Sequence, residues 1–372
     1  MTRSLPNKAQ PMGVSQLLAS TTDAIRAALP DAWEITPETE PRLDAPGSRT
    51  LRPNLVLVLR APDASTARLV VEAKTTRNIP HLIEQAGEQV RSYVLQLEDS
   101  GLSASGVIAV PYLGRAGRER LRSLGIGYAD STGNLRIQVD RPAVFIQSAG
   151  ADRDPWPPAG HLQSLKGPGA ASAVRALVDF VPPFGIRELA SRAGAAPATL
   201  SRVAAMLQRE ALLATGSDGA IISVDWQGVI QRWADDYSVT RTNLASSFLD
   251  PRGVTKFADA LRQLDCQYAV SGTIALPDEV AIAPPRLALV YSPDAAEIAR
   301  ATRLTRTDRG ANVLLLEPRS RAVFARIREV RGLPSVALTQ VAVDLLTSPG
   351  RGPSEARELI KWMQPNEGVW RA

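Results

Sequence analysis

Apolar residues recur at two periods along this chain, and the period switches where turn residues interrupt it. Val14–Leu29, Ile83–Leu97 and Arg115–Leu124 carry helical spacing. Leu55–Arg60, Leu69–Lys74, Gly106–Pro111, Gly127–Ala129, Leu135–Val139 and Ala143–Gln147 are short apolar or alternating runs that predict strands. Helices and strands mixed in this order predict one α/β sheet over residues 1–150. The stretch 151–169, ADRDPWPPAGHLQSLKGPG, is rich in Pro and Gly and predicts a linker. A helix at Ala171–Phe180 opens a second block, 170–240, and Trp226–Tyr237 closes it. In a third block, 241–372, helices at Val254–Leu264, Leu338–Leu346 and Glu355–Met363 accompany strands at Tyr268–Ser271, Leu287–Ser292 and Asn312–Glu317. The expected fold class is therefore multidomain, α/β and α+β, with no repeat of solenoid period.

The middle block carries the most specific pattern. In IRELASRAGAAPATLSRVAAMLQREALL, 186–213, Ile186 and Leu189 face a core from a short first helix. Gly194 stands where that helix must stop, because Gly tolerates the left-handed turn at a helix C-terminus. A second helix opens near Pro197, a residue accepted in a first helical turn. Leu200, Val203 and Leu207 form its buried stripe. Thr199, Ser201, Arg202, Gln208 and Arg209 are left to face outward, where hydroxyls and guanidinium groups reach phosphates and base edges. Two apolar runs, Leu212–Thr215 and Ala220–Val224, flank the turn Gly216–Gly219, which includes Ser217. Together these predict a winged helix-turn-helix that reads double-stranded DNA.

Composition bounds the picture without deciding it. The chain of 372 residues has a net charge of +5, and its cations are nearly all Arg. Residues 151–240 hold eight Arg/Lys and nine Asp/Glu, so any phosphate contact there must come from local placement. One cysteine, Cys266, and two histidines, His81 and His161, argue against a structural zinc site and against disulfides, which suits a reducing, cytoplasmic setting. No apolar run is long enough for a membrane span, and MTRSLPNKAQPMG lacks a signal core.

In the first block, Leu69–Lys74 ends in Glu72-Ala73-Lys74, and period-two geometry puts Glu72 and Lys74 on one face. Pro53-Asn54 opens the strand before it, and Gln89 and Tyr93 lie four apart on a helix. This combination resembles the PD-(D/E)XK nuclease superfamily, in particular its RecB-like branch. The resemblance implies divalent metal, Mg²⁺, held by acids, with the Lys positioning water. Asn54 stands where that family has Asp and carries no charge. Asp44 and Glu38 lie upstream as other acids. The expectation is a degenerate nuclease fold with no metal and no other cofactor, Glu72, Lys74, Asn54 and Gln89 being catalytic only if cleavage survives.

Gly125-Ile126-Gly127-Tyr128-Ala129-Asp130-Ser131-Thr132-Gly133-Asn134 resembles a signature of AbiEi-like antitoxins of type IV toxin–antitoxin systems. By its residues it is a hairpin in which Asp130 accepts from turn amides. Tyr268–Leu276 is similar to the strand–Ser-Gly–helix entry of minimal nucleotidyltransferases, without the acids on the next strand that transfer needs. Gln340–Leu346 with Gly350-Arg351-Gly352 matches the close of these antitoxin-like proteins, with Asp344 expected to cap or pair locally, Arg351 being its near partner. The Arg run 319–331 reads as a solvated face, or as an extension of a DNA footprint. The resemblance implies a DNA-binding regulator that represses its own operon, and possible partners are a nucleotidyltransferase-like toxin and a second copy of the chain. The usual small antitoxins carry the winged helix at the N-terminus; here it is central. The leading expectation is a non-enzymatic transcriptional regulator. The alternatives are a metal-dependent nuclease and an antitoxin acting by protein contact.

Overall fold

Helix α1 (Val14–Ala28) is followed by β1 (Glu34–Glu38), β2 (Leu55–Arg60), β3 (Thr66–Ala73), α2 (Ile79–Asp99), β4 (Ala104–Val110), α3 (Arg115–Ser123), β5 (Gly127–Asp130), β6 (Leu135–Val139) and β7 (Val144–Ser148). These elements come from a computed structural model that describes residues 13–38, 53–75, 79–156, 162–281 and 283–372. Asp44 and the middle of the expected linker, 157–161, lie outside the described residues. The seven strands form one sheet in sequence order. Only β3–β4 and β4–β5 are parallel, and these are the two pairs joined through a helix, α2 and α3. The sheet is buried on both faces. Leu55, Leu57, Leu59, Leu69 and Val71 meet Leu17 and Ile25 of α1, while Val56 and Val70 meet Tyr93 and Leu97 of α2. Gly106 lets α2 lie close on β4, since a Cβ there would stand 2.0 Å from Val90 Cγ1.

The described chain divides into two compact units, Met1–His161 with Leu207–Ala214, and Leu162–Met206 with Thr215–Ala372. The remaining elements are α4 (Pro168–Asp179), α5 (Ile186–Ala193), α6 (Pro197–Arg209), β8 (Leu213–Thr215), β9 (Ile221–Val224), α7 (Trp226–Ala234), α8 (Val239–Thr242), β10 (Leu244–Leu249), α9 (Val254–Leu261), β11 (Ala269–Ser271), β12 (Ala288–Tyr291), α10 (Ala295–Ala301), β13 (Thr305–Arg306), β14 (Val313–Glu317), β15 (Arg328–Val330), β16 (Leu333–Ser335), α11 (Leu338–Leu346), α12 (Gly352–Met363) and α13 (Glu367–Trp370). A second seven-stranded sheet has the order β13-β10-β14-β12-β11-β16-β15 and mixes parallel with antiparallel pairs. The whole is thus mixed α/β. Among the described residues, no helix is long and apolar enough to cross a membrane.

Residues 162–206 and 215–372 fall in one compact unit. Helices α4 and α7 pack on α11. Inside that junction Arg175 and Asp179 form an ion pair, 2.8 Å apart and each 3% exposed. Arg175 also donates to the carbonyls of Ala322 (3.2 Å) and Ala325 (2.9 Å), and Asp179 accepts from Thr339 Oγ1 at 2.5 Å. Residues 367–372 then clamp the end of α4. Val181 N donates to Ala372 O (2.8 Å), Ala372 N to Asp179 O (3.0 Å), and Arg371 to the carbonyls of Val178 and Phe180. Trp226 Nε1 donates to Glu367 Oε1 at 2.6 Å and its ring meets Trp370 edge-on.

Three local expectations change. Asp344 does not pair with Arg351. It is fully buried and accepts from Tyr237 (2.7 Å), Tyr291 (2.9 Å), Ser271 (2.5 Å) and Gln340 (2.9 Å), whereas Arg351 reaches Glu355 and Pro284 O. The Ser-Gly entry at Ser271-Gly272 leads into one 3-10 turn, Gly272–Ala275, and not an α-helix. The Arg run is partly built into the fold. Arg326 donates to Asp179 O and lies over the Phe180 ring, Arg328 donates to Ala275 O and Val336 O, and Arg331 pairs with Asp278. Arg319 and Arg321 alone in that run remain exposed without a carboxylate partner among the described residues.

Burial pushes the Asp344 carboxyl up to about 6, against hydrogen bonds that favour the ion. The folded state therefore holds this proton more tightly than the unfolded chain, where the value is ordinary. Stability from this group rises as pH falls from 7 towards 4, by about 2 kcal/mol. Denaturant unfolding of the wild type and of Asp344→Asn across that range checks it. Other acids cancel in the difference, and the wild type should gain on the variant by that amount. A pH-independent difference would contradict it.

Candidate nucleic-acid interface and the Glu72 strand end

Helix α5 ends at Gly194, which is left-handed at φ 62° and donates to Ser191 O. The short link to Pro197 then turns the chain into α6. Leu200, Val203 and Leu207 are fully buried, which fixes the rotation of α6 about its axis. Ser201 and Arg202 are exposed on the opposite side, with Arg202 Nε resting on Ala198 O at 3.3 Å. Thr199 is half-buried, and its methyl lies against the start of α4, 3.3 Å from where a Gly169 Cβ would be. Gln208 and Arg209 are half-buried and have interactions of their own. The open face of α6 is thus its N-terminal part. Arg187 on α5 is also exposed and has no carboxylate partner among the described residues. Its place in the first helix hid it from pattern reading. Arg192 is committed to Glu188 and the Phe180 ring.

Strands β8 and β9 form the expected hairpin. Gly216 N donates to Ala220 O at 2.8 Å, and Asp218 accepts from Ala220 N at 3.0 Å, so the tip is closed by its own backbone. Ser217 is exposed at that tip. Phe184 bridges Ile221 on the other side and ties the wing to the entry of α5.

In the first unit, the register Leu55↔Val71 places Asn54 across from Glu72. Both share the α2 face with Val56 and Val70, one step beyond the point where Tyr93 packs. Since α2 returns antiparallel to β3, Gln89, one turn before Tyr93, lies toward the same strand end. Gln89 Nε2 donates to Tyr93 Oη at 2.8 Å. Glu72 is 2% exposed, and its Oε1 accepts from Lys74 Nζ at 2.7 Å; Lys74 is 36% exposed. Glu72 Oε2 accepts from Asn54 N at 3.4 Å, and Asn54 Oδ1 accepts from Ala73 N at 2.8 Å.

This donor set does not suit a divalent cation. Both carboxylate oxygens already accept from the protein, and the amide oxygen closes the β2–β3 ladder. Glu38 is exposed opposite Val56. Among the described residues no three His, Cys, Asp or Glu side chains gather to hold a metal. Mg²⁺ prefers anionic oxygens, and of Asn54, Glu72 and Lys74 only Glu72 is an acid, so this strand end fits the ion poorly.

Asp130 is the other acid the sequence singles out. It accepts from Leu113 N (3.1 Å), Thr132 N (2.8 Å), Thr132 Oγ1 (2.6 Å), Asn134 N (3.1 Å) and Asn134 Nδ2 (2.8 Å). Both of its oxygens are used within the hairpin, which makes it a turn organiser. Asn134 passes the linkage on, accepting from Gly150 N and Arg118.

No family model matches the chain, and no curated protein matches it either.

Proposed function

We propose that this protein binds double-stranded DNA in a sequence-specific manner and acts as a transcriptional regulator. The observation that carries the reading is the N-terminal face of α6. Ser201 and Arg202 are exposed there, on a helix whose rotation is fixed by three fully buried residues and which is followed by a wing with an exposed tip. A helix presented in this way fits the major groove, and a wing reaches the neighbouring backbone or groove. Arg202 reads a base edge, Ser201 and Arg187 contact phosphates, and Ser217 approaches from the wing. Thr199, Gln208 and Arg209 hold the helix in place more than they read.

In this reading the first unit is a nuclease-like fold kept for binding or assembly. The helix, antiparallel strands, helix and parallel strand that bring Asn54, Glu72 and Lys74 to one sheet end support the likeness. The uncharged Asn54 and the occupied oxygens of Glu72 weigh against cleavage. The antitoxin-like resemblance of the third block makes the protein's own operon the first target to test.

Gel shift and footprinting on DNA upstream of the gene, with and without Mg²⁺, test the reading. A discrete protected and uncut site is expected. Arg202→Ala should weaken specific binding by about 1–3 kcal/mol while leaving nonspecific binding nearly unchanged. Absence of any protected site, or an Arg202→Ala footprint equal to the wild type's, would remove α6 from the reading role. Metal-dependent cleavage lost in Glu72→Ala would move the protein to the nucleases.

A further inference from the structure

A cavity of about 390 Å³ opens within the second unit, between α7, α8, α11 and the segment after β14. Sites for small molecules begin at roughly 300 Å³, so it has room for one compact ligand. Trp233 and Tyr237 give it an aromatic wall, with Leu165 and Val323 beside them. Its floor is polar. Asn243 and Gln340 line it and are 8% and 5% exposed.

The orientation of both amides is fixed by acceptors. Asn243 Nδ2 donates to Val239 O at 2.8 Å, and Gln340 Nε2 donates to the Asp344 carboxylate at 2.9 Å. Their oxygens therefore point the other way, and among the described residues no donor reaches either one. Neither oxygen is among the buried atoms sealed off without a partner, so both are open to solvent, and a ligand with N–H donors can take the place of water on them. The mouth adds charge. Lys166, Arg241 and Arg319 line it, are exposed, and have no carboxylate partner among the described residues. Of the two lining acids, Asp236 is held by Arg232 and Leu165 N, and Asp235 also has an interaction of its own.

We propose that this cavity binds a nucleoside monophosphate carrying an exocyclic amino group, with the base on the Asn243–Gln340 floor and the phosphate at the Arg241–Arg319 mouth. Adenine, guanine and cytosine carry an amino group with two N–H bonds, one for each oxygen, whereas uracil offers only its single N3–H. The aromatic wall takes the flat ring, and the three cations take the dianion. The inference does not rest on the DNA-binding reading.

Equilibrium dialysis of the full chain, free of nucleic acid, against AMP, GMP, CMP and UMP tests it, with adenosine and inorganic phosphate as the separate halves of the ligand. At least one amino-bearing monophosphate should bind with a Kd below ~1 mM and more tightly than UMP, adenosine or phosphate. The double variant Arg241→Ala/Arg319→Ala changes only exposed side chains and should weaken binding about tenfold or more. Arg321→Ala, an exposed cation outside the cavity, and Arg202→Ala on α6 should leave it unchanged. Four outcomes would each overturn the proposal: no binding by any of the three, affinity equal to that of phosphate alone, affinity unaffected by the double variant, or loss in Arg202→Ala.

Discussion

Arg175→Ala is expected to lower the unfolding free energy of the second unit by about 3–5 kcal/mol. The guanidinium is 3% exposed and satisfies three acceptors at once, the Asp179 carboxylate and the carbonyls of Ala322 and Ala325. Its removal strands a carboxylate in the core and leaves the Ala325 carbonyl without a donor, while Ala322 O keeps Ala325 N. Taking both partners away should cost less than the sum of the single losses, because no lone charge is then buried. Urea unfolding of Arg175→Ala, Asp179→Ala and the double variant gives the coupling directly. A single-variant loss within about 0.5 kcal/mol of zero, the range of ordinary surface changes, would show that water reaches this pair.

Asp130→Ala should cost the first unit about 3 kcal/mol, through the donors it leaves unmet at Leu113 N, Thr132 and Asn134 N, while Asn134 Nδ2 keeps Ala151 O. Hydrogen exchange should report the damage locally, at the amides of Thr132, Asn134 and Gly150, while β2 and β3 keep their protection. Asp130→Asn retains one acceptor oxygen and should fall between the wild type and the Ala variant. If Asp130→Ala instead left the hairpin protected and changed DNA binding, Asp130 would be a contact residue and the turn would be held by something else.

The local half of this fold is legible in the sequence. Gly194 announces its left-handed cap, Leu200, Val203 and Leu207 announce the buried stripe, and Leu338–Leu346 and Leu135–Val139 fall where their periods place them. Elements whose residues hide their period are not legible. Strand β1, EITPE, contains a proline and three acidic or polar residues, and β10, LASSFL, places two serines at its centre. Strands β15 and β16 are three residues each, with Arg, Glu and Pro among them. Sequence spacing also misleads where partners are distant. Asp344 looks toward Arg351, seven positions on, but its hydroxyl donors come from Ser271, Tyr291 and Tyr237, which only the folding of three separate elements brings together. The same holds for the α6 face. A helical wheel turns Thr199, Gln208 and Arg209 outward, and all three are half-buried.

The clamp on α4 has a consequence for synthesis. Arg371 and the Val178 carbonyl it holds are 193 positions apart, and Ala372 brackets Asp179 and Val181 on both sides. At translation speeds of roughly 5–20 residues per second, the end of α4 is made roughly 10–40 s before the residues that seal it. During that interval the Trp226 edge and the end of α4 are uncovered, so the nascent chain exposes its apolar flank to whatever holds unfinished proteins. The seal on the end of α4 is completed only after nearly two hundred further residues have been added.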